Sequence, residues 1–433
     1  MDKCYVIDTI MGGGKSSAML HFLATSQPEG QHVMIVVPTL NEVDRYKEYL
    51  SNDRNGGISH VVKAPERGKS RSKLDSIKYL LSRKTEYIVT THATFKNLDE
   101  EAAGLIKKGH YTLVMDEVSQ PMQQFTEVTP VLIESMLEAG YLIADNDNNG
   151  KLDWNKEKKY VPTERDDIYK DFFDAVTNGR AYYVKSKSAV FEIMDFSVFD
   201  AFRKMYLMTY MFEGQPLYYY LKHRGVQFTK YSAYRDDVLT DGEFSFAVDY
   251  NPIFDKIHDL KSLVTICQNK KWNKVGEDRN ALSTSWFLRH SRKNDPDIKS
   301  IQNNLHNFRV QNKFRSEQVL WTCVQKFKEQ IEVDGYKKSF LAVNAKGTND
   351  YADRTYIAYI TNIYMNPMLI NMLHLDSKEE ERIDQDKYAL SEMVQFIWRS
   401  AIRKGEPITV YVPSSRMRGL LEKWIEENSI DQA

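Results

Sequence analysis

Cysteine is scarce in this sequence: Cys4, Cys267 and Cys323 are the three among 433 residues, and they stand far apart. No close pair offers a zinc or redox motif, and the odd count speaks against a disulfide framework, so a reducing cytoplasm is expected. Long apolar runs are lacking as well. None approaches the roughly 20 residues of a membrane span, and a strand pattern starts at Cys4, ahead of which no cleavable signal segment fits. A surplus of either charge is also missing, with 59 basic against 60 acidic residues. A polyanionic partner therefore has to be met by a local patch. The segment Lys63 to Lys73, rich in lysine, arginine and loop formers, is the candidate for that patch.

Glycine is concentrated where it matters. Thr9-Ile10-Met11-Gly12-Gly13-Gly14-Lys15-Ser16 follows the strand-like Cys4-Tyr5-Val6-Ile7 and opens onto a helical Ser17 to Leu23. Strand, glycine-rich loop and helix in this order make a phosphate-binding loop. Gly12, Gly13 and Gly14 let backbone N–H groups approach phosphate, and Ser17 adds to the helix N-terminus that favours an anion. Lys15 is expected to pair with the β- and γ-phosphates of ATP, and Ser16 to ligate Mg2+. A hundred residues on, Leu113-Val114-Met115 ends in Asp116-Glu117. Asp116 suits the magnesium shell, and Glu117 suits the orientation or deprotonation of an attacking water.

From residue 1 to about 120, apolar strands at Tyr5–Ile7, Val33–Val37, Tyr87–Val89 and Leu113–Met115 alternate with helical stretches. This pattern predicts an α/β fold with a mostly parallel sheet flanked by helices and with functional residues at the C-terminal strand ends. An insertion is expected over about 140–200, and Met205–Thr209 is expected to be the last strand of a first domain spanning 1–225. Within the insertion, Asp145, Asp147, Asn149, Gly150 and Leu152 mimic a calcium loop, but Lys156 stands where the bidentate glutamate belongs, so a hairpin turn is expected. A second α/β domain, 226–433, has candidate strands at Ser262–Ile266, Ser339–Val343 and Ile408–Val412, with helical patterns over Arg315–Ile331 and Leu390–Ile402.

Further short segments fall in a telling order. Val36-Val37-Pro38-Thr39-Leu40, Val89-Thr90-Thr91-His92-Ala93-Thr94 and Leu207-Met208-Thr209-Tyr210 each end a strand; Asn344 to Tyr351 follows another, and Gln395-Phe396-Ile397-Trp398-Arg399-Ser400-Ala401-Ile402-Arg403 comes near the end. Together with the phosphate loop and the acidic pair, these segments resemble motifs I, Ia, Ic, II, III, V and VI of a superfamily 2 helicase. The likeness is to the DExH type encoded by tailed phages. Motif II reads Asp116-Glu117-Val118-Ser119, and no glutamine precedes Thr9 to serve as a DEAD-box adenine motif.

The resemblance implies two RecA-like lobes with ATP–Mg2+ in the cleft between them. It assigns nucleic-acid contacts to Thr39, Thr91, His92, Thr348 and Asn349, and arginine-finger roles to Arg399 and Arg403. The usual spacing of that motif is three residues; here it is four, which leaves open which of the two is the finger. Implied partners are single-stranded or branched DNA ahead of RNA, with replication or recombination proteins, in a host cytoplasm; no oligomer is implied. Thr209 would couple nucleotide to the strand track, and Tyr218-Tyr219-Tyr220 is a candidate base-stacking run, with core packing the commoner use of such residues. Two other classes stay open: a DNA-packaging-type motor ATPase, which needs an acidic metal cluster in the C-terminal half, and a nucleotide-gated nucleic-acid-binding protein that does not unwind.

Overall fold

The computed structural model describes residues 4–25, 31–52, 60–66, 72–145, 150–158, 160, 168–185, 188–236, 243–247, 257–343, 350–373 and 383–430. Its strands, in chain order, are β1 Cys4–Asp8, β2 Val33–Val37, β3 Val62–Lys63, β4 Tyr87–Thr91 and β5 Thr112–Asp116. There follow β6 Met122–Gln124, β7 Leu142–Asp145, β8 Lys151–Trp154, β9 Ala181–Val184 and β10 Ala189–Ile193, then β11 Lys204–Thr209, β12 Phe228–Asp236 and β13 Glu243–Ala247. The remainder are β14 Ile257–His258, β15 Val264–Ile266, β16 Val319–Cys323, β17 Tyr356–Ile360, β18 Ile408–Tyr411 and β19 Ser429–Ile430.

The first sheet runs β13-β12-β1-β11-β5-β2-β4-β3 and is parallel except where β13 turns back along β12. The second, β15-β18-β17-β16, is parallel throughout. Both are flanked by helices, which gives the α/β architecture expected. The all-apolar β2, buried on both faces, shows why: helices cover a parallel sheet on each side, so its strands need no polar face. The helices carry conventional end signals. In Glu100–Gly109, the Asp99 side chain accepts from Ala102 N, Glu100 and Glu101 lie in the first turn, Lys107 and Lys108 in the last, and His110 closes it in the left-handed region.

Two boundaries differ from the sequence reading. β12 pairs directly with β1, Cys4 opposite Phe228 and Ile7 opposite Tyr231, so the first lobe extends to Ala247 instead of ending at 225. The insertion is a five-stranded antiparallel sheet, β6-β10-β9-β8-β7, and begins at Met122, earlier than 140. Its opening strand holds three residues, two of them glutamine, too short and polar to register as a strand pattern. The hairpin expected near Asp145 is present as β7–β8 with Asp145 opposite Lys151, while residues 146–149 lie outside the described ones.

In the second lobe, Arg315–Ile331 is not one helix. Its centre is β16, every residue buried, and short apolar runs of this kind fit a buried strand as well as a helix. Ser339–Val343 contributes a single bridge, Phe340 to Trp321, and the edge of the sheet is β16. Ser262 and Leu263 belong to a short helix, Leu260–Leu263, that leads into β15.

The lobes meet along an apolar seam. Ile10, from the glycine-rich loop, and Tyr210, just past β11, are buried in one cluster with Trp398, Met417 and Trp424 of the second lobe. In the other direction, Met365, Leu373 and Ile383 are buried with Met122, Met194 and Tyr219 of the first. Beside them, Gly214 lies against the backbone of Lys387, where a Cβ would meet the carbonyl carbon and oxygen at 2.8 Å.

Candidate functional site

β1 delivers the chain into the glycine-rich loop at the C-terminal edge of the sheet. Thr9, which stands where the usual loop has its first glycine, is fully buried and continues the strand. Its N–H donates to Thr209 O at 3.1 Å and its hydroxyl accepts from Ala233 N at 3.0 Å. Gly12 and Gly14 both have φ +81°, and a Cβ at Gly13 would come within 2.6 Å of Thr9 Cγ2. The loop thus needs glycine at all three places. Helix Lys15–Thr25 starts immediately after it, with Ser17 half-buried in its first turn.

Lys15 Nζ curls back to donate to Thr9 O at 2.5 Å and Ile10 O at 3.0 Å. Ser16 Oγ donates to Asp116 Oδ2 at 2.6 Å, so the hydroxyl and carboxylate from opposite ends of the first hundred residues are in contact. That pair is the donor set a hard cation such as Mg2+ takes while keeping most of its waters, and the residues present fit the ion. The same Oδ2 accepts a second bond, at 3.0 Å, from the hydroxyl of Tyr46 on helix Leu40–Ser51. Burial and the Asp116 carboxylate push the Tyr46 hydroxyl well above its usual pKa, keeping it a proton donor.

Between β1 and β5 lies β11, which places Thr209 between the loop and the acidic pair. Thr209 is buried, and its hydroxyl accepts from Gln215 Nε2 at 2.8 Å; the same amide donates to Tyr210 O at 2.8 Å. At the end of β1, the buried Asp8 carboxylate accepts from Met211 N at 2.7 Å and Phe212 N at 3.1 Å, fixing the turn after β11. Burial raises the Asp8 pKa against those two bonds.

Glu117 leaves β5 with φ +55°, a left-handed conformation that costs a glutamate energy and turns it away from the strand path. It lines a cavity of about 430 Å3 together with Ser119, Thr209 and Gln215 of the first lobe and Glu392, Gln395 and Arg399 of the second. Arg399 follows the end of helix Gln385–Ile397, and its Nη1 donates to Val343 O at 3.4 Å. Burial lowers its pKa, while the Glu117 and Glu392 carboxylates act the other way. Arg403 lies on the short 3-10 turn Ala401–Lys404, exposed, and is not among the residues lining the cavity.

The expected nucleic-acid residues have other engagements. Thr39 caps helix Leu40–Ser51, its hydroxyl accepting from Glu42 N at 3.4 Å. Thr91 Oγ1 lies 3.3 Å from Thr94 Oγ1, and His92 Nε2 donates to Asp116 O at 3.0 Å. Thr348 and Asn349 lie outside the described residues, as do Arg67 to Arg71 of the basic segment. Tyr218–Tyr220 belongs to helix Pro216–Lys222; Tyr219 and Tyr220 are buried, Tyr219 OH accepting from Asp384 N and Tyr220 OH donating to Met194 O. Those two rings are core, not a stacking platform. Tyr46, Gln215 and Glu392 had no sequence signal: each sits in a helix or turn whose pattern reports only burial or exposure.

Among the described residues, one further group holds ligand atoms within 4.8 Å of one another: His290, Asp295 and Asp297. Asp295 there caps helix Pro296–Asn312, accepting from Asp297 N and Ile298 N, which accounts for its position. No described helix is long and apolar enough to cross a membrane.

Comparison with known proteins adds the following. The SPbeta prophage-derived uncharacterized protein YonV of Bacillus subtilis (strain 168) is 31% identical over 433 residues, covering 98% of this chain and 99% of its own. Residues 258–425 match the family described as the YonV C-terminal Rossmann-like domain, in register with the second lobe. A DEAD box protein from the hyperthermophile Methanococcus jannaschii aligns over 100% of this chain and 88% of its own, with 10% identity and a TM-score of 0.26. T4 UvsW aligns over 100% and 73%, with 9% identity and a TM-score of 0.21. Scores that low carry no argument about this molecule. The full-length match does: the chain belongs to the YonV family.

Proposed function

We propose that this protein is an ATP-dependent nucleic-acid motor, a helicase or translocase acting on DNA in the host cytoplasm. One observation carries the reading: Glu117 from the first lobe and Arg399 from the second face a single cavity beside the loop that holds Lys15 and Ser16. An acid that accepts a proton and a cation that offsets phosphoryl charge, supplied from two lobes, is the arrangement of an interlobe nucleoside triphosphatase.

Bound ATP and Mg2+ would supply the transferable phosphoryl group and its counter-charge. The protein's part follows from its own groups. Gly12 to Gly14 offer backbone N–H groups, and Lys15 exchanges the Thr9 and Ile10 carbonyls for phosphate oxygens. Ser16 and Asp116 hold the cation, and Glu117 takes the proton of a water in the cavity. Arg399 stabilises the charge that develops opposite it. Because the site draws on both lobes, its occupancy shifts their relation, which a nucleic-acid strand across the C-terminal strand ends would sense.

ATP hydrolysis measured with single strands, forks, four-way junctions and RNA tests this. The expected result is stimulation by DNA, abolished by Lys15→Ala and by Glu117→Gln. If none of the nucleic acids stimulates hydrolysis, the motor reading is overturned. The apolar seam between the lobes favours a second reading, a nucleotide-gated binding protein, since large hydrophobic interfaces restrain domain motion. That protein would bind ATP and nucleic acid without displacing a strand.

A further inference from the structure

Tyr46 is fully buried, yet it brings a polar group to the centre of the site from a helix with no other part in it. Its hydroxyl donates at 3.0 Å to Asp116 Oδ2, the oxygen that also accepts from Ser16 at 2.6 Å. Burying a hydroxyl without a hydrogen bond is costly, but a backbone carbonyl would satisfy that need as well as a carboxylate does. Tyr87, from β4, shows the alternative: its hydroxyl donates to Leu23 O at 3.2 Å.

We infer that Tyr46 is a positioning residue for the metal-holding carboxylate, locking the rotamer of Asp116 so that the carboxylate and Ser16 Oγ present one preformed pair of oxygens to a divalent cation. This rests on the nucleotide-site reading above. The physical case is direct. A carboxylate at a strand end can rotate about its terminal torsion, and two donors converging on one oxygen remove that freedom. Oδ2 then stays beside Ser16, whose hydroxyl can keep donating to Asp116 while its lone pair turns to the cation. Tyr46 itself is held by the core around it, where it is buried with Val33, Ile35, Val43 and Leu50, so its hydroxyl position is set by packing. Partners of metal ligands fixed in this way commonly govern metal affinity.

The same helix is capped by Thr39, about two turns before Tyr46, so the element holding Asp116 in place starts just past the end of β2. A change of tilt in that helix would be felt at the carboxylate.

The test is the affinity of the full-length protein for ADP, measured calorimetrically with MgCl2 and again with EDTA. Wild-type protein is expected to bind more tightly with magnesium. Tyr46→Phe is expected to cut that magnesium enhancement by about tenfold, and to cut it no further in an Asp116→Asn background, as required if it acts through Asp116. Thermal melts of each variant, and the EDTA affinity itself, separate this from general loosening, which lowers both affinities together and leaves their ratio unchanged. An unchanged ratio in Tyr46→Phe, or a loss that persists in full with Asp116→Asn, overturns the assignment. Wild-type protein that binds no ADP under either condition overturns the nucleotide reading itself, and the role of Tyr46 with it.

Discussion

Trp424 donates its indole N–H to the hydroxyl of Tyr210 at 2.8 Å, a buried hydrogen bond that joins helix Ser415–Asn428 of the second lobe to the end of β11 in the first. Tyr210 is one residue past Thr209, which lines the cavity shared by Glu117 and Arg399. The seam and the candidate site therefore meet at adjacent residues.

Removing the acceptor leaves the indole N–H buried without its partner, and such a group costs about 1–3 kcal/mol. Tyr210→Phe is expected to destabilise the protein by that amount in equilibrium urea unfolding. Trp424→Phe in the same background should add less than it does alone, because the two residues share one interaction.

The two arginines near the chain end make different predictions. Arg399 faces the cavity, whereas Arg403 is exposed on the turn beyond. Arg399→Ala is expected to lower the ATPase rate by about a thousandfold, the lower range for an arginine finger, with nucleotide affinity much less affected. Arg403→Ala should leave the rate within a few-fold of wild type. Steady-state kinetics of both variants decides between them.

Acid should loosen the lobe contact at Glu213. Its carboxylate meets Lys230 at 2.7 Å in the first lobe and Lys387 at 3.1 Å in the second. The hydrogen bond from Lys230, with the charges of both lysines and the bond from Lys387, lowers its pKa from the usual 4.5 against the effect of partial burial. A lowered folded-state pKa means that the stabilisation is present above pH 4.5 and is lost as pH falls through the folded value. Unfolding midpoints measured from pH 6 downward should fall more steeply for wild type than for Glu213→Gln in that window. The half-exposed setting keeps the effect small and salt-sensitive.

The central strands of the first lobe were legible because β1, β2, β4 and β5 are apolar on both faces and each ends at a turn or helix start. β16 was not, since Val-Leu-Trp-Thr-Cys lacks any periodicity to separate strand from buried helix. β12 was missed for the opposite reason: Lys230, Ser232 and Arg235 give it a polar content that reads as loop, and what makes it a strand is an open edge on β1 two hundred residues upstream. In the candidate site, local motifs pointed to Lys15, Ser16, Asp116, Glu117 and Arg399, and the fold places all five around the loop and its neighbouring cavity. Tyr46 and Gln215 were invisible because their roles depend on which atom a buried side chain reaches, and spacing along a helix does not encode that. For Thr39, Thr91 and His92, sequence order suggested a nucleic-acid track; in the structure their side chains meet a helix N-terminus, a neighbouring hydroxyl and a backbone carbonyl.

Met365, Leu373 and Ile383 pack into the first lobe although β17, from which they continue, belongs to the second. On a ribosome, where chains fold from the N-terminus as they emerge, the first lobe is left with an open apolar face until residue 383 has been made. The two lobes then finish together, and the second, though recognisable by itself as a sequence unit, is half of a joint whose other half was synthesised first.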